Sequence, residues 1–158
     1  MQIYIMRHGQ AEMMAESDEK RELTLLGRLE SEKMAAYLAQ CHLCFDAVLV
    51  SPYLRAQQTW DSVRPFLPEV KNVQTVKYLT PSGSAHKTVN KVLALQAAGV
   101  DKLLIVSHLP LVGYIVGELA PAAGVPAFST STVGHVEIDS SGFGCLHSLT
   151  TVSQLKEI

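Results

Sequence analysis

A chain of 158 residues with 47% hydrophobic and 18% charged side chains fits one globular domain, expected to span 1–158, with enough apolar material for a real core. Its formal net charge of -2 supplies no basic stripe, so nucleic acid is not an expected partner and any anion must be held by local charges. Three cysteines argue against a disulfide scaffold, no apolar stretch reaches membrane-spanning length, and the N-terminus opens on a strand pattern in place of a targeting segment; the expectation is a cytoplasmic protein with no membrane partner.

The first predicted element is the apolar strand Ile3 to Met6, followed at once by Arg7-His8-Gly9. Thr24 then caps a helix whose face Gly27, Ser31, Met34, Ala35 and Leu38 has helical spacing, with small residues that let it lie close against a sheet. A second strand, Ala47 to Val50, leads into Ser51 and Pro52, read as N-cap and first residue of a helix with the stripe Ala56, Thr59, Trp60, Val63 and Leu67. A third strand covers Val73 to Tyr78, and Val89, Val92 and Leu93 mark a helix closed by Gly99. Leu103 to Val106 is the fourth strand, after which Pro110 opens a helix with Leu111, Ile115 and Leu119 on one face. Beyond a linker-like loop from Pro121 to Pro126, Val133 to Ile138 begins an antiparallel hairpin turning at Asp139-Ser140-Ser141-Gly142. Strands alternating with helices predict an α/β sheet.

Three polar clusters share one structural address on this map: Arg7-His8-Gly9, Ser51-Pro52-Tyr53-Leu54-Arg55 and Ser107-His108-Leu109-Pro110 each follow a strand. In open α/β sheets, ligands bind where loops converge at the carboxyl ends of strands, so Arg7, His8, Arg55 and His108 are placed to meet. Arg55 falls in a helix first turn, where free backbone N–H groups favour an anion. A neutral imidazole can attack phosphorus and hold it covalently, while guanidinium groups present donors to the phosphoryl oxygens and disfavour the imidazolium. Read singly, Arg55 is a solvated surface residue and His108 a satisfied structural histidine; together they describe an oxyanion site.

These residues resemble the histidine phosphatase superfamily, whose hallmark is Arg-His-Gly with a second Arg and a second His. The likeness covers nearly the whole chain and is nearest to its short bacterial phosphohistidine phosphatases, through Leu23-Thr24-x-x-Gly27, Ser51 to Ala56, Leu79-Thr80-Pro81 and Ser107-His108-Leu109-Pro110-Leu111-Val112-Gly113-Tyr114. The resemblance implies a phosphoglycerate-mutase-like three-layer sandwich, a mostly parallel central sheet with helices on both faces. It implies His8 as nucleophile, Arg7, Arg55 and His108 as the phosphate pocket, and Gly9 among the substrate-binding residues. No metal or other cofactor is required by this scheme, and the sequence contains no P-loop, no H-E-x-x-H and no Mg²⁺-type carboxylate cluster.

One departure bears on substrate. Many ester-cleaving members carry an acid after the third strand, where this chain has Leu79-Thr80-Pro81-Ser82-Gly83, which leaves no obvious proton donor unless Glu12 reaches the leaving group. An alkoxide needs that proton, whereas phosphohistidine can leave as neutral imidazole. The expected substrate is therefore a phosphohistidine-bearing phosphotransfer protein of a signalling or sugar-transport relay, which an open site without a lid insertion suits. The alternatives are a small-molecule phosphomonoesterase with the same covalent histidine and a non-catalytic phosphoprotein-binding module.

The charged run Ser17-Asp18-Glu19-Lys20-Arg21-Glu22 reads as a solvated loop placed to border the pocket, with Arg21 an outside candidate for a third cation. Cys41-His42-Leu43-Cys44 is half of a conceivable zinc site, with Cys145 and His147 as its other half, or a redox pair; ordinary packing of small apolar residues explains it better. His86 and His135 have no partners at recognisable spacing and read as surface or structural.

Overall fold

Successive side chains of a strand point to opposite faces, and in the central strands both sets are apolar, so the sheet must be covered on both sides. The structure, a computed structural model, describes residues 1–155. In chain order it contains β1 (Gln2–Arg7), α1 (Leu25–Gln40), β2 (Ala47–Val50), α2 (Leu54–Val63), β3 (Asn72–Thr75), α3 (Ala85–Ala97), β4 (Lys102–Ser107), α4 (Leu111–Leu119), β5 (Val133–Ile138) and β6 (Gly144–Thr150). The six strands form one sheet in the order β3-β2-β4-β1-β5-β6. The first four run parallel, and β5 and β6 add an antiparallel hairpin beside β1.

Alternation sorts the strand residues into two cores. Ile3, Ile5, Ala47, Leu49, Leu103 and Ile105 pack with Val92 and Leu95 of α3 and with Leu111, Ile115 and Leu119 of α4. Met6, Val48, Val50, Leu104 and Val106 face the other way, against Met34, Ala35 and Leu38 of α1 and Ala56, Trp60 and Val63 of α2. Each fully buried aliphatic side chain contributes roughly 1.5–3 kcal/mol relative to exposure. This is the expected three-layer sandwich.

Strand register delivers the polar residues. Arg7 is opposite Ser107 in the β1–β4 pair, and Val50 is opposite Val106 in the β2–β4 pair, so His8, Ser51 and His108 all emerge at the same edge. The bonds His8 N–H to Ser107 O (2.9 Å) and Ser51 N–H to Val106 O (3.0 Å) carry the pairing one step further. The helix of Thr24 forms as expected, its side chain accepting from Gly27 N–H at 2.9 Å. Gly27 and Gly9 have no side chain for a packing reason: a Cβ on Gly27 would lie 2.1 Å from Gln10 O, and one on Gly9 2.7 Å from Gly27 O. The start of α1 therefore presses directly on the loop after β1.

Five local expectations are corrected. Ser51 and Pro52 do not start α2, which begins at Leu54 after Tyr53, because Ser51 continues the strand ladder and its hydroxyl is engaged with His108. Arg55 still lies in the first turn. The strand Val73 to Tyr78 ends at Thr75 and turns through a 3-10 segment at Lys77–Leu79, anchored by fully buried Leu79. The loop after Pro121 is no linker: its backbone packs on α4, where a Cβ at Gly113 would lie 2.7 Å from Pro126 O. Cys41 and Cys44 are exposed and free, because Cys41 caps the end of α1 and His42 turns the chain with φ 57°, leaving Leu43 and Phe45 as the buried residues. His135 does have partners, stacking on Tyr4 with ring centroids 4.3 Å apart and hydrogen bonding to Gln2 Oε1.

Candidate active site

At the carboxyl edge of β1, β2 and β4 the structure brings together Arg7, His8, Arg55 and His108. His8 is 7% exposed, Arg55 4% and His108 1%, so all three polar side chains are buried at the strand ends. The imidazoles of His8 and His108 lie 5.0 Å apart, and Arg55 Nε donates to His8 Nε2 at 3.3 Å. His8 Nδ1 sits 2.7 Å from the carbonyl oxygen of Gly9, which can only accept. That contact fixes the tautomer with the proton on Nδ1 and leaves the Nε2 lone pair facing the cations.

Gly9 acts through this bond; its own N–H is taken by Thr59 Oγ1 at 3.0 Å. Thr59 in turn donates to Arg55 O at 2.8 Å, so a residue that reads in sequence as part of an apolar stripe ties α2 to the His8 loop. Arg7 is held from the opposite side, its Nη1 donating to Phe128 O at 2.9 Å. Ser51 Oγ accepts from Tyr53 N–H at 3.2 Å and lies 2.7 Å from His108 Nε2. With the Ser51 hydrogen donated to Nε2, His108 carries its proton on Nδ1 and is a donor.

Arg21 enters the site indirectly. It donates to Asp18 Oδ1 at 3.0 Å and to Glu12 O at 2.6 Å, and Asp18 then bonds Arg55 twice, its carbonyl oxygen accepting from Nη1 at 2.7 Å and Oδ2 from Nη2 at 3.2 Å. Asp18 is the contact that sequence reading missed in the run from Ser17 to Glu22. A buried guanidinium calls for a counter-charge, and an aspartate three residues before Arg21 was the available signal.

Two buried side-chain atoms lack a hydrogen-bond partner among the described residues, Arg7 Nε and His108 Nδ1. An unsatisfied buried donor costs roughly 1–3 kcal/mol, and both belong to this one site. Such donors are what a bound oxyanion would satisfy.

Burial lowers the pKa of His8 from 6.5 to about 4, opposed by the Gly9 hydrogen bond and aided by the charges of Arg55, Arg7 and Arg21. Desolvation thus exceeds the two-arginine effect expected from sequence. Burial also lowers His108 to about 2, with His8 and Arg55 adding to it. Both rings are neutral at pH 7. Because the unfolded chain takes up these protons near pH 6.5 and the folded one does not, stability is full above that pH and falls as the solution is acidified toward 4. The acid limb of kcat/KM is expected near pH 4, not near 6.5, once the uncatalysed acid hydrolysis of the substrate is subtracted; a limb at 6.5 would show His8 to be ordinary.

With this geometry, comparison with known proteins is specific. The model of the histidine phosphatase superfamily (branch 1) matches residues 3–79. Phosphohistidine phosphatase SixA of Escherichia coli K12 is 41% identical over 99% of this chain and 97% of its own length. A SixA homologue of Haemophilus influenzae is 39% identical over 99% of this chain and 100% of its own. The structure of protein histidine phosphatase SixA complexed with tungstate superposes with a TM-score of 0.96 at 41% identity, covering 99% of this chain and 100% of that one. Sequence likeness along essentially the full length and a superposable fold agree: the chain belongs to the histidine phosphatase superfamily.

Proposed function

We propose that this protein is a protein phosphohistidine phosphatase that works through a covalent phospho-His8 intermediate. The observation that carries this reading is the His8 arrangement: a neutral ring whose Nδ1 proton is held by Gly9, with Nε2 beside Arg55. The activity of the SixA relatives supports the same reaction class.

In the first step the Nε2 lone pair of His8 attacks phosphorus as the P–N bond of the substrate breaks. The bonding pair returns to the leaving imidazole, whose other nitrogen has taken a proton from solvent, so the ring departs neutral. Arg7 and Arg55 hold the phosphoryl oxygens, and His108 Nδ1–H donates to the charge that develops there. Water then attacks phosphorus, the electron pair returns to His8 Nε2, and the water proton leaves with phosphate or to solvent. Dividing the transfer into two displacements lowers each barrier. Every developing charge is met by these side chains, so the scheme calls on no metal or organic cofactor.

Asp18, the carboxylate bonded to Arg55, is held ionised below the usual carboxylate range, mainly by its hydrogen bond to Arg21 and then by Arg55. It is therefore a poor proton donor for an alkoxide. The segment after β3, where an acid was sought, brings the carbonyl of Leu79 against Ser107 Oγ at 2.7 Å and contributes no carboxylate. Both facts support a P–N bond over a phosphate ester. We further propose a single catalytic domain acting in the cytoplasm on a phosphotransfer protein; no helix among the described residues is long and apolar enough to cross a membrane.

Phosphate release from a phosphohistidine-bearing phosphotransfer domain, compared with sugar phosphates and phosphoserine at equal concentration, tests the reading. Turnover of the phosphoprotein should lead in kcat/KM by at least ~10²-fold, the size of one missing general acid. Rapid sugar phosphate hydrolysis with none of the phosphoprotein would restore the phosphomonoesterase reading.

A further inference from the structure

A guanidinium has five N–H donors, and in Arg55 three are already committed: Nε to His8 Nε2, Nη1 to the carbonyl of Asp18 and Nη2 to its carboxylate. Asp18 is no incidental neighbour. It opens a 3-10 turn, Asp18–Lys20, within a loop closed at its base by Thr24 N–H to Gln10 O (3.0 Å) and Glu12 N–H to Glu22 O (2.8 Å). The bridge between Ala11 and Leu23 lies between those bonds. The loop therefore has its own support and delivers the carboxylate to Arg55, while Arg21 bonds the other carboxylate oxygen and keeps it oriented. One side of this ion pair is buried and the other is open, the Arg55 side chain being 5% exposed and that of Asp18 53%.

A pocket built on two arginines and a donor histidine has a built-in difficulty. The groups that stabilise the transferring phosphoryl also hold the phosphate dianion it becomes, and turnover requires that dianion to leave. We propose that Asp18 is a resident counter-anion that shares Arg55 with the phosphoryl group and thereby weakens the grip of the pocket on released phosphate. The proposal rests on reading the site as a phosphoryl pocket. Two anions on one guanidinium oppose each other reciprocally: Asp18 lowers phosphate affinity by the same factor by which phosphate loosens Asp18. Its carbonyl bond to Arg55 does not depend on the side-chain charge, so Arg55 stays anchored while the competition is electrostatic. Asp18 touches neither His8 nor the reacting atoms and is a positioning and release residue.

The test is calorimetric titration of the whole protein with inorganic phosphate at pH 7. Asp18→Asn keeps a side-chain oxygen and the backbone carbonyl but removes the charge, and should bind phosphate about tenfold more tightly, the scale of one partly screened charge at contact range. Asp18→Ser, a second way to remove the charge, should do the same, and Asp18→Glu should keep the weaker wild-type affinity. Glu19→Gln makes an identical charge change one residue away from the contact and should stay within about twofold of wild type. In turnover, Asp18→Asn should lower steady-state kcat while the single-turnover rate of His8 phosphorylation holds, because release has become slow. Equal or weaker phosphate binding by Asp18→Asn and Asp18→Ser, or equal tightening by Glu19→Gln, would overturn the proposal. Phosphate binding requires no phosphoprotein, so a wild-type protein that binds phosphate but leaves phosphohistidine intact would sink the proposed activity alone.

Discussion

His8→Ala is expected to lower phosphate release by at least ~10⁴-fold and to abolish the acid-labile phosphoenzyme, with inorganic phosphate still bound. The two effects separate because binding and bond-making rest on different groups. Arg7, Arg55 and His108 remain to hold an oxyanion, but no other imidazole can take over the attack. His108 is the nearest, at 5.0 Å between ring centroids, and its Nε2 already faces Ser51 Oγ at 2.7 Å. With Ser51 donating to Nε2, the remaining ring nitrogen carries the proton. Truncation leaves the carbonyl of Gly9 and Nε of Arg55 without their side-chain partner, a local loss of about 1–3 kcal/mol that should not unfold a chain with cores on both faces of its sheet. Quenched-flow labelling with a phosphorylated phosphotransfer domain, stopped in alkali, reads the intermediate directly. Residual turnover above about 1% in a folded His8→Ala protein would rule out the covalent route. A wild-type protein that binds the phosphoprotein tightly but never releases phosphate would instead establish the binding-module alternative.

Legibility in the sequence followed how local each cause is. Thr24 was readable because a cap is decided within four residues, and it is realised at 2.9 Å from Gly27 N–H. Convergence of Arg7, Arg55 and His108 was readable because strand ends in a parallel sheet share an edge whatever the loops do. Ser51 was not, since a serine before a proline serves equally as an N-cap or as a partner for a distant ring. Only the β2–β4 register, which sets it beside His108, decides between them. Asp18 was hidden for a similar reason. Its partner Arg55 is 37 positions away and is reached by closure of the loop, while the local pattern drew attention to Arg21, which turned out to support Asp18. The cysteines show the opposite failure: their residue type favours the core, but a helix end and a left-handed turn at His42 put them outside.

Arg55→Ala is expected to cost roughly 10²–10³ in kcat, about 2.7–4 kcal/mol of transition-state stabilisation, and Arg55→Lys should recover little of it. Lysine restores the charge, so the comparison isolates geometry. The guanidinium of Arg55 reaches His8 Nε2 through Nε while its far edge grips the carbonyl and carboxylate of Asp18, and it lies 5.1 Å from the Tyr53 ring centroid. A single ammonium cannot place donors at both ends of that span, and it has no planar fork to offer phosphoryl oxygens. Removing the cation should also move the acid limb upward from about pH 4, because Arg55 is one of the charges that keep His8 neutral. The limb should remain below 6.5 even so, since burial is the larger cause and the substitution leaves most of it in place. Full activity in Arg55→Lys would mean that charge alone suffices and that the fork between His8 and Asp18 is dispensable. A depressed kcat with the shifted limb, in a variant whose thermal unfolding is close to wild type, would show Arg55 acting on the reacting phosphoryl and on the nucleophile at once.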